Sequence, residues 1–372
     1  MKIAHVVTYN SPDGAFGGPT TVAFAQARAL AEMGHEVTVF AGGPIASPQE
    51  GRVGDARLLE YPARRLVGTT GFAFMASPSM YRALRRKIFD FDVVHIHLAR
   101  DLVMVPASLA VLRSSTQFVV QPHGMVDRPT RFLATLIDFA IIRRVLKRAF
   151  VAFALTETEQ ETLIDLQPRA RVERIRNGIN AGPSADACWT ADGPVLFMAR
   201  FHARKRPDAF VRMATLIRAS DQSARFLMVG PDEGERELVT AAIRQSGSQD
   251  SFEIRDGVSP LAASRIMASA SVYVLPSVGE VFPMTILEAF AAGIPVVSTR
   301  SLGIAELCEE FGAAVLTDGT PEELAAAVVR IRSDRDLAES LTRGGRALLE
   351  AELGIRQVAK KLASVYEMAL EP

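Results

Sequence analysis

Two carboxylates, Glu280 and Glu288, flank the start of a helix in the segment SVGEVFPMTILEAFAAGIPVVS. The apolar run Val272–Leu275 reads as a strand, the next loop carries Glu280, and a helix is expected to begin at Pro283. A proline at the first helical position gives up only an N–H that has no partner. Gly293, with Pro295 behind it, should end that helix. The amides of Phe282, Met284 and Thr285 would then cluster at a helix N-terminus, a place suited to phosphate or to sugar hydroxyls. Glu288 lies five positions past Pro283, about 7.5 Å along the axis at about 1.5 Å per residue. Carboxylates so separated cannot both meet one phosphate, but they can accept hydrogen bonds from hydroxyls on either side of it, a hexose on one and a ribose diol on the other. A solvated helix face is the commoner place for a glutamate. Glu288 instead stands among the apolar residues of TILEAFAAG, which favours a ligand role, and the spacing suits a nucleotide sugar.

A second group of charges follows the apolar run Val195–Ala199 in ARFHARKRPDAF. Arg200 and Lys205 fall at a strand's C-terminal end, before a helix starting near Pro207. There they can reach the same edge as the Glu280 loop. A diphosphate leaving group gains negative charge as its glycosidic bond breaks, and fixed cations stabilise that charge without a metal. The plain alternative is a solvated basic loop, because His202, Arg204 and Arg206 share it.

Other residues carry weaker signals. Gly17 and Gly18, before Pro19 and Thr20, permit close backbone approach to a phosphate or an acceptor at the next helix start. His123 follows the run Phe118–Gln121 and precedes Gly124, an exposed strand-end position. His95 and His97 alternate on a buried strand; a pair at this spacing can ligate metal, but no carboxylate or third histidine is near in sequence, so core packing is expected. Asp90 and Asp92 form a D-x-D triplet at the start of a strand, the wrong edge for a ligand. Cys188 and Cys308 match neither a disulfide framework nor a metal cluster and read as inert thiols in a reducing compartment. No metal site is expected.

The elements that must position these residues follow from the chain's rhythm. At 372 residues the chain suits two domains. Its hydrophobic fraction of 48% and its 42 basic against 42 acidic residues describe a globular protein without a global nucleic-acid-binding charge. Strand-like runs at Ile3–Thr8, Val37–Ala41, Val93–His97, Phe118–Gln121 and Ala152–Leu155 alternate with amphipathic stretches. After Ile175–Gly178 and the irregular NAGPSADACWTADGP, the alternation restarts at Val195–Ala199, Phe226–Gly230, Phe252–Arg255, Val272–Leu275 and Pro295–Thr299. This is the pattern of an α/β protein with parallel, doubly wound sheets. The expected domains are 1–180, binding the acceptor, and 181–372, binding the nucleotide, with strand C-termini facing across a cleft. The last helix, about Leu353–Leu370, has the option of returning to the first domain, and the pattern does not choose.

Taken together, the E-x7-E segment followed by A-x-A-A-G-I-P-V-V, R-F-x-x-x-K at Arg200–Lys205 and VGPDEGE resemble the C-terminal half of the retaining glycosyltransferases of family 4. In the first half the resemblance continues through Gly17–Gly18, DVVHIH at Asp92–His97, QPHGM at Gln121–Met125 and RNGIN at Arg176–Asn180. It implies the GT-B fold of two Rossmann-like domains, with Arg200 and Lys205 on the donor diphosphate, Glu288 on the ribose, and Glu280 and His123 on the transferred sugar. It also implies retention of anomeric configuration, no bound metal and no cofactor beyond a UDP-, GDP- or ADP-sugar substrate. Pro283 departs from the glycine frequent in the family and removes one amide donor. Asn180 stands where many relatives carry an acid.

An NAD-dependent enzyme would use similar domains, but no G-x-G-x-x-G follows the first strand. A non-catalytic sugar-nucleotide-binding homologue would keep the fold and lose site residues, all of which are present. Residues 1–180 carry 22 Lys and Arg against 16 Asp and Glu, an excess the remainder reverses. Part of it lies on an expected helix Phe132–Ala149, where Arg143 stacks with Lys147 and Arg144 with Arg148, and part at Arg82, Arg85, Arg86 and Lys87. Such basic helices rest on anionic lipid as readily as they face water. With no signal-like h-region and no spanning segment, the expectation is a cytoplasmic enzyme, peripheral at the inner face of the membrane, acting on a glycan or lipid-linked acceptor.

Overall fold

The structure, a computed structural model, describes residues 1–10, 17–66, 74–126, 137–180, 189–280 and 282–371. The chain divides into two units, Met1–Gly178 with Ile355–Pro372, and Ile179–Gly354. Beside the expected division at 180/181, the last helix therefore groups with the first unit.

The first unit is built on an eight-stranded sheet in the spatial order Val172–Arg174, Ala152–Ala154, Gln117–Val120, Val93–Ile96, Lys2–Tyr9, Glu36–Gly43, Ala56–Pro62, Gln49–Val53. All neighbours are parallel except the last pair. Parallel strands covered on both faces read as unbroken apolar runs, which is why Ile3–Val7 and Val93–Ile96 are legible. Successive side chains still alternate. Ala4, Val6, Phe40, Val94, Ile96 and Val120 share one core, whereas Ile3, Val7, Val39, Val93, Val119 and Phe153 share the other. The helix Ile355–Leu370 covers this second face with Ile355, Val358, Ala359, Leu362, Val365 and Tyr366, apolar positions three and four apart. Gly178 permits its entry: a Cβ there would lie 2.8 Å from Ile355 Cα. The antiparallel pair Gln49–Val53 and Ala56–Pro62 was not expected, because its outer strand is largely exposed and carries no apolar run.

The second unit holds a six-stranded parallel sheet in the order Phe252–Arg255, Phe226–Val229, Val195–Met198, Val272–Leu275, Val296–Thr299, Val315–Thr317. Its core joins Val195, Phe197, Phe226, Met228 and Val274 to the helices Pro207–Ser220 and Pro321–Ser333. Two of its helices open on a capping residue followed by proline: the hydroxyls of Ser259 and Thr320 accept the amides of Ala262 and Glu323 at 3.4 Å each.

In both sheets the strand order reverses beside the first strand, between Lys2–Tyr9 and Val93–Ile96 in one and between Val195–Met198 and Val272–Leu275 in the other. In open α/β sheets, ligands bind outside the strand C-termini at such a switch point.

Candidate active site

At the switch point of the second unit, the two central strands end in the two charged segments. The Lys205 ammonium forms an ion pair with Glu280 Oε2, the two side chains being only 16% and 13% exposed. The acidic loop is also held by its main chain. Val278 N donates to Arg204 O at 3.0 Å, Arg204 Nη2 donates to Gly279 O at 2.9 Å, and Gly303 N donates to Glu280 O at 2.8 Å. Arg200 is held otherwise: its Nη1 lies 2.8 and 3.0 Å from the two carboxylate oxygens of Glu233, a residue of VGPDEGE, and the pair is half exposed. The structure thus joins Lys205 with Glu280 and pairs Arg200, in the same basic segment, with an acid that the sequence reading did not single out. Arg206, next to Lys205, has φ +52° and ψ +53°, a left-handed conformation that costs a non-glycine residue energy.

The helix of the E-x7-E segment runs Met284–Ala292 and ends at Gly293 in the left-handed region. Pro283 is its capping residue and not its first helical residue, which corrects the expected start by one position and reduces the rise to Glu288 to about 6 Å. Phe282 and Pro283 are buried, so the amides available at the helix start are those of Met284 and Thr285, ahead of the first bond from Ile286 N to Pro283 O. The Thr285 hydroxyl is engaged by Tyr273 OH at 2.7 Å, which leaves its amide for a ligand.

Glu288 is half-buried and accepts no hydrogen bond from a described residue; burial pushes its carboxyl up to about 7. Between the ordinary value near 4.5 and about 7, the folded protein keeps a proton that the unfolded chain loses. The stability due to this group is therefore fully present below pH 4.5 and lost as pH rises through about 7. Glu288→Gln should flatten this slope, a change on the order of 2–3 kcal/mol, read by urea unfolding at pH 5 and pH 8. Equal slopes in both proteins would mean the carboxyl is solvated.

In the first unit, His123 also has positive φ, +55°; with Arg206 it makes up all the left-handed non-glycine residues among those described. Its turn is held by Glu159, whose carboxylate accepts Gly124 N at 2.6 Å and Leu155 N at 2.7 Å. Glu159 is itself placed by the helix cap at Thr156. Beside this turn, Arg100 and the buried Asp138 form a bidentate pair at 2.7 and 2.8 Å. Asp101 is buried too and accepts Thr8 Oγ1, Val103 N and Met104 N at 2.7–2.8 Å; burial pushes it up to about 6.

The two histidines expected to be core residues are buried, but a third joins them. His5 comes from the adjoining strand, in register with His95. All three face the core side covered by the C-terminal helix, where Tyr366 OH lies 2.7 Å from His95 Nδ1. His5 Nδ1 is 3.0 Å from His97 Nε2, and His97 Nδ1 is 2.7 Å from His123 Nε2. Candidate ligand nitrogens of His5, His95 and His97 lie within 4.8 Å of one another. Both nitrogens of His97 are already taken by its neighbours, however, so the group is a hydrogen-bonded row and not a convergent ligand set. Desolvation lowers all four histidines, His5 and His123 to about 3.

Gly18 stands in the first turn of the helix Gly17–Glu32 with no described residue within 4 Å of a Cβ built on it, so packing among the described residues does not require glycine there. The expected helix Phe132–Ala149 is outside the described residues up to Leu136; beyond it the chain forms a π-helical turn, Asp138–Ile142, and a short α-helix, Arg143–Arg148. Two of its cations are structural: Arg143 Nε donates to Leu166 O at 2.7 Å, and Arg148 donates to Leu112 O and Ser114 O at 2.6 and 2.7 Å. Asp92 Oδ2 accepts Lys2 N at 2.7 Å, at the strand's beginning. Cys188 is outside the described residues; Cys308 is buried, its thiol pushed up to about 12.

Two Rossmann-like units, one with ionic residues gathered at its switch point, define the GT-B class of α/β proteins. Residues 16–182 match the model described as Glycosyltransferase Family 4, and residues 193–334 match that of Glycosyl transferases group 1. The chain belongs to this family and is a glycosyltransferase of the family 4 type. It is 26% identical over 379 residues to a 2-deoxystreptamine glucosyltransferase of Streptomyces kanamyceticus, covering 92% of this chain and 97% of that one. It is 24% identical over 317 residues to a GDP-mannose:cellobiosyl-diphosphopolyprenol alpha-mannosyltransferase of Komagataeibacter xylinus, covering 83% and 78%. Among solved structures, HepE of Anabaena in complex with UDP shares the fold, with TM-score 0.75, 15% identity, and 99% and 100% of the two chains covered.

Proposed function

We propose that this glycosyltransferase is a retaining, metal-independent hexosyltransferase. It moves a hexosyl unit, glucosyl or mannosyl, from a UDP-, GDP- or ADP-sugar to a hydroxyl of a glycan or lipid-linked acceptor in polysaccharide or glycolipid synthesis. The observation that carries this reading is the Lys205–Glu280 pair at the strand ends of the second unit, with Arg200 in the same basic segment and the helix start at Met284 closing the Glu280 loop. On diphosphate binding Lys205 turns to the anion, which frees Glu280 for a hydroxyl of the sugar, and Arg200 shares the charge. Ribose hydroxyls donating to Glu288 favour its ionised form, so binding draws its carboxyl back down. The bond from the anomeric carbon to the diphosphate oxygen breaks with its electron pair passing to phosphate. The acceptor oxygen attacks on the same face, and its proton goes to the departing phosphate oxygen. His123 positions the sugar, and no cofactor takes part.

The relatives support donor and acceptor classes of this kind. The exposed Arg82, Arg85 and Arg86 on the helix Pro78–Lys87, with Phe89 at 65% exposure beyond it, suit peripheral contact with anionic lipid at the inner membrane face. No described helix is long and apolar enough to cross a membrane.

The test is a thermal-shift panel of nucleotide sugars followed by assay of nucleotide release. A true donor at about 100 times its Kd adds about 2.7 kcal/mol, roughly 5–10 °C in melting temperature. Release of its nucleotide, faster with acceptor present on anionic vesicles, completes the reading. Binding without release under any acceptor supports the non-catalytic homologue instead.

A further inference from the structure

The histidine row of the first unit has a property that neither core packing nor sugar positioning explains. A ring nitrogen sits about 1.1 Å from its own centroid, so an in-line contact between coplanar imidazoles puts the centroids about 5 Å apart. The rings of His97 and His123 are 5.0 Å apart at an interplanar angle of 9°, and those of His5 and His97 are 5.3 Å apart at 29°. With nitrogen separations of 2.7 and 3.0 Å, the rings meet edge to edge, and both contacts are hydrogen bonds.

Each contact needs one N–H and one lone pair, and a neutral imidazole carries one N–H. Two arrangements satisfy both contacts. In the first, His5 Nδ1–H donates to His97 Nε2, His97 Nδ1–H donates to His123 Nε2, and the proton of His123 sits on Nδ1. In the second, every donor is reversed: His123 Nε2–H donates to His97, His97 Nε2–H donates to His5, and the proton of His5 sits on Nε2. The ends of the row decide between them. His5 Nε2 and His123 Nδ1 both lack a partner. Both atoms are buried, but His5 has no exposed surface at all, whereas His123 as a residue stands partly exposed in a strand-end turn. An N–H without an acceptor is costlier in the closed core than in a turn that borders solvent, where a small side-chain shift opens it. The first arrangement wins.

We infer that His5 and His97 are positioning residues that hold His123 as its Nδ1–H tautomer, making it a hydrogen-bond donor to an approaching ligand oxygen and not a base. In that tautomer His123 has no lone pair left for a proton, since Nδ1 carries one and Nε2 accepts from His97, and the row's one open lone pair, on His5 Nε2, lies in the closed core. The row therefore closes the base function instead of relaying it. The inference deepens the proposed sugar-positioning role of His123 and rests on it only for the identity of the ligand.

The experiment is nitrogen-15 NMR of the full chain with labelled histidine and no donor present, the signals assigned by single substitutions. The expected result is a protonated-type shift for His123 Nδ1 and a bare-type shift for Nε2. In His97→Leu the Nε2 contact is lost and His123 should pass to a mixture of tautomers. In His97→Asn the side-chain amide stands where Nδ1 was, and the wild-type pattern should return; backbone spectra report whether each variant folds. A bare Nδ1 in the wild type, or an unchanged His123 in folded His97→Leu, overturns the inference. If the tautomer is as stated but His97→Leu transfers sugar normally, the row stands and the sugar role of His123 falls.

Discussion

Replacing Lys205 with alanine is expected to cut sugar transfer about 10²–10³-fold, with the larger share of the loss in kcat. The ammonium is largely buried and its partner is the Glu280 carboxylate, so the substitution does more than remove one cation. It leaves an acid without its neutralising partner beside the place where a diphosphate gathers charge as it departs. Both effects are greater in the transition state than in the bound substrate, which is why kcat carries them. Lys205→Arg keeps the charge but exchanges a compact ammonium for a planar fork, and should recover only part of the rate. Because Lys205 and Glu280 act on one another, the double substitution Lys205→Ala, Glu280→Ala should cost less than the two single losses combined. Initial rates at saturating donor and acceptor provide the check, with melting curves to show that each variant is folded. A Lys205→Ala enzyme within threefold of the wild type would remove this residue from the diphosphate site.

The second large effect is on stability. Asp138→Ala should destabilise the first unit by about 3–5 kcal/mol, the usual consequence of deleting one partner of a buried ion pair. Asp138 and Arg100 are 3% and 12% exposed and joined by two short bonds. Without the carboxylate, the guanidinium keeps its desolvation cost and loses the bidentate pairing that offset most of it. For a unit of this size the melting temperature falls roughly 6–20 °C. Calorimetry of the full chain reads the change, and Asp138→Asn, which keeps the shape and one acceptor, should fall between. A shift of under 2 °C would mean that water replaces the carboxylate. The pair stands beside the His123 turn, and Arg100 reaches Met125 O at 3.5 Å, so a destabilised variant that still folds should also position His123 less firmly.

The sequence reading and the structure agree where local chemistry suffices. A strand buried on both faces must be apolar throughout, so nearly every central strand was legible to within a residue. The charged segments were legible because they follow strands directly, and Gly293 because a helix end needs the left-handed conformation it adopts. The helix start missed by one residue at Pro283, since proline serves as well in the capping position as inside it. The outer strand Gln49–Val53 was invisible because exposed edge residues need no apolar pattern.

What the amino-acid order by itself determined about this protein is the class: alternating strand and helix, two domains, and cations and carboxylates at strand ends where a nucleotide sugar can be met. These depend on residues close in sequence, whose spacing translates directly into a place on an element. Only the tertiary structure decided the partners. Glu280 and Lys205 are 75 residues apart, and His5 and His97 are 92 apart. His5 looked like any residue of a first strand until parallel pairing set it opposite His95 and the C-terminal helix sealed the row from water. An ion pair or a shared proton is a relation between atoms within about 3 Å of one another, and for residues so distant along the chain that closeness arises only when the sheet assembles.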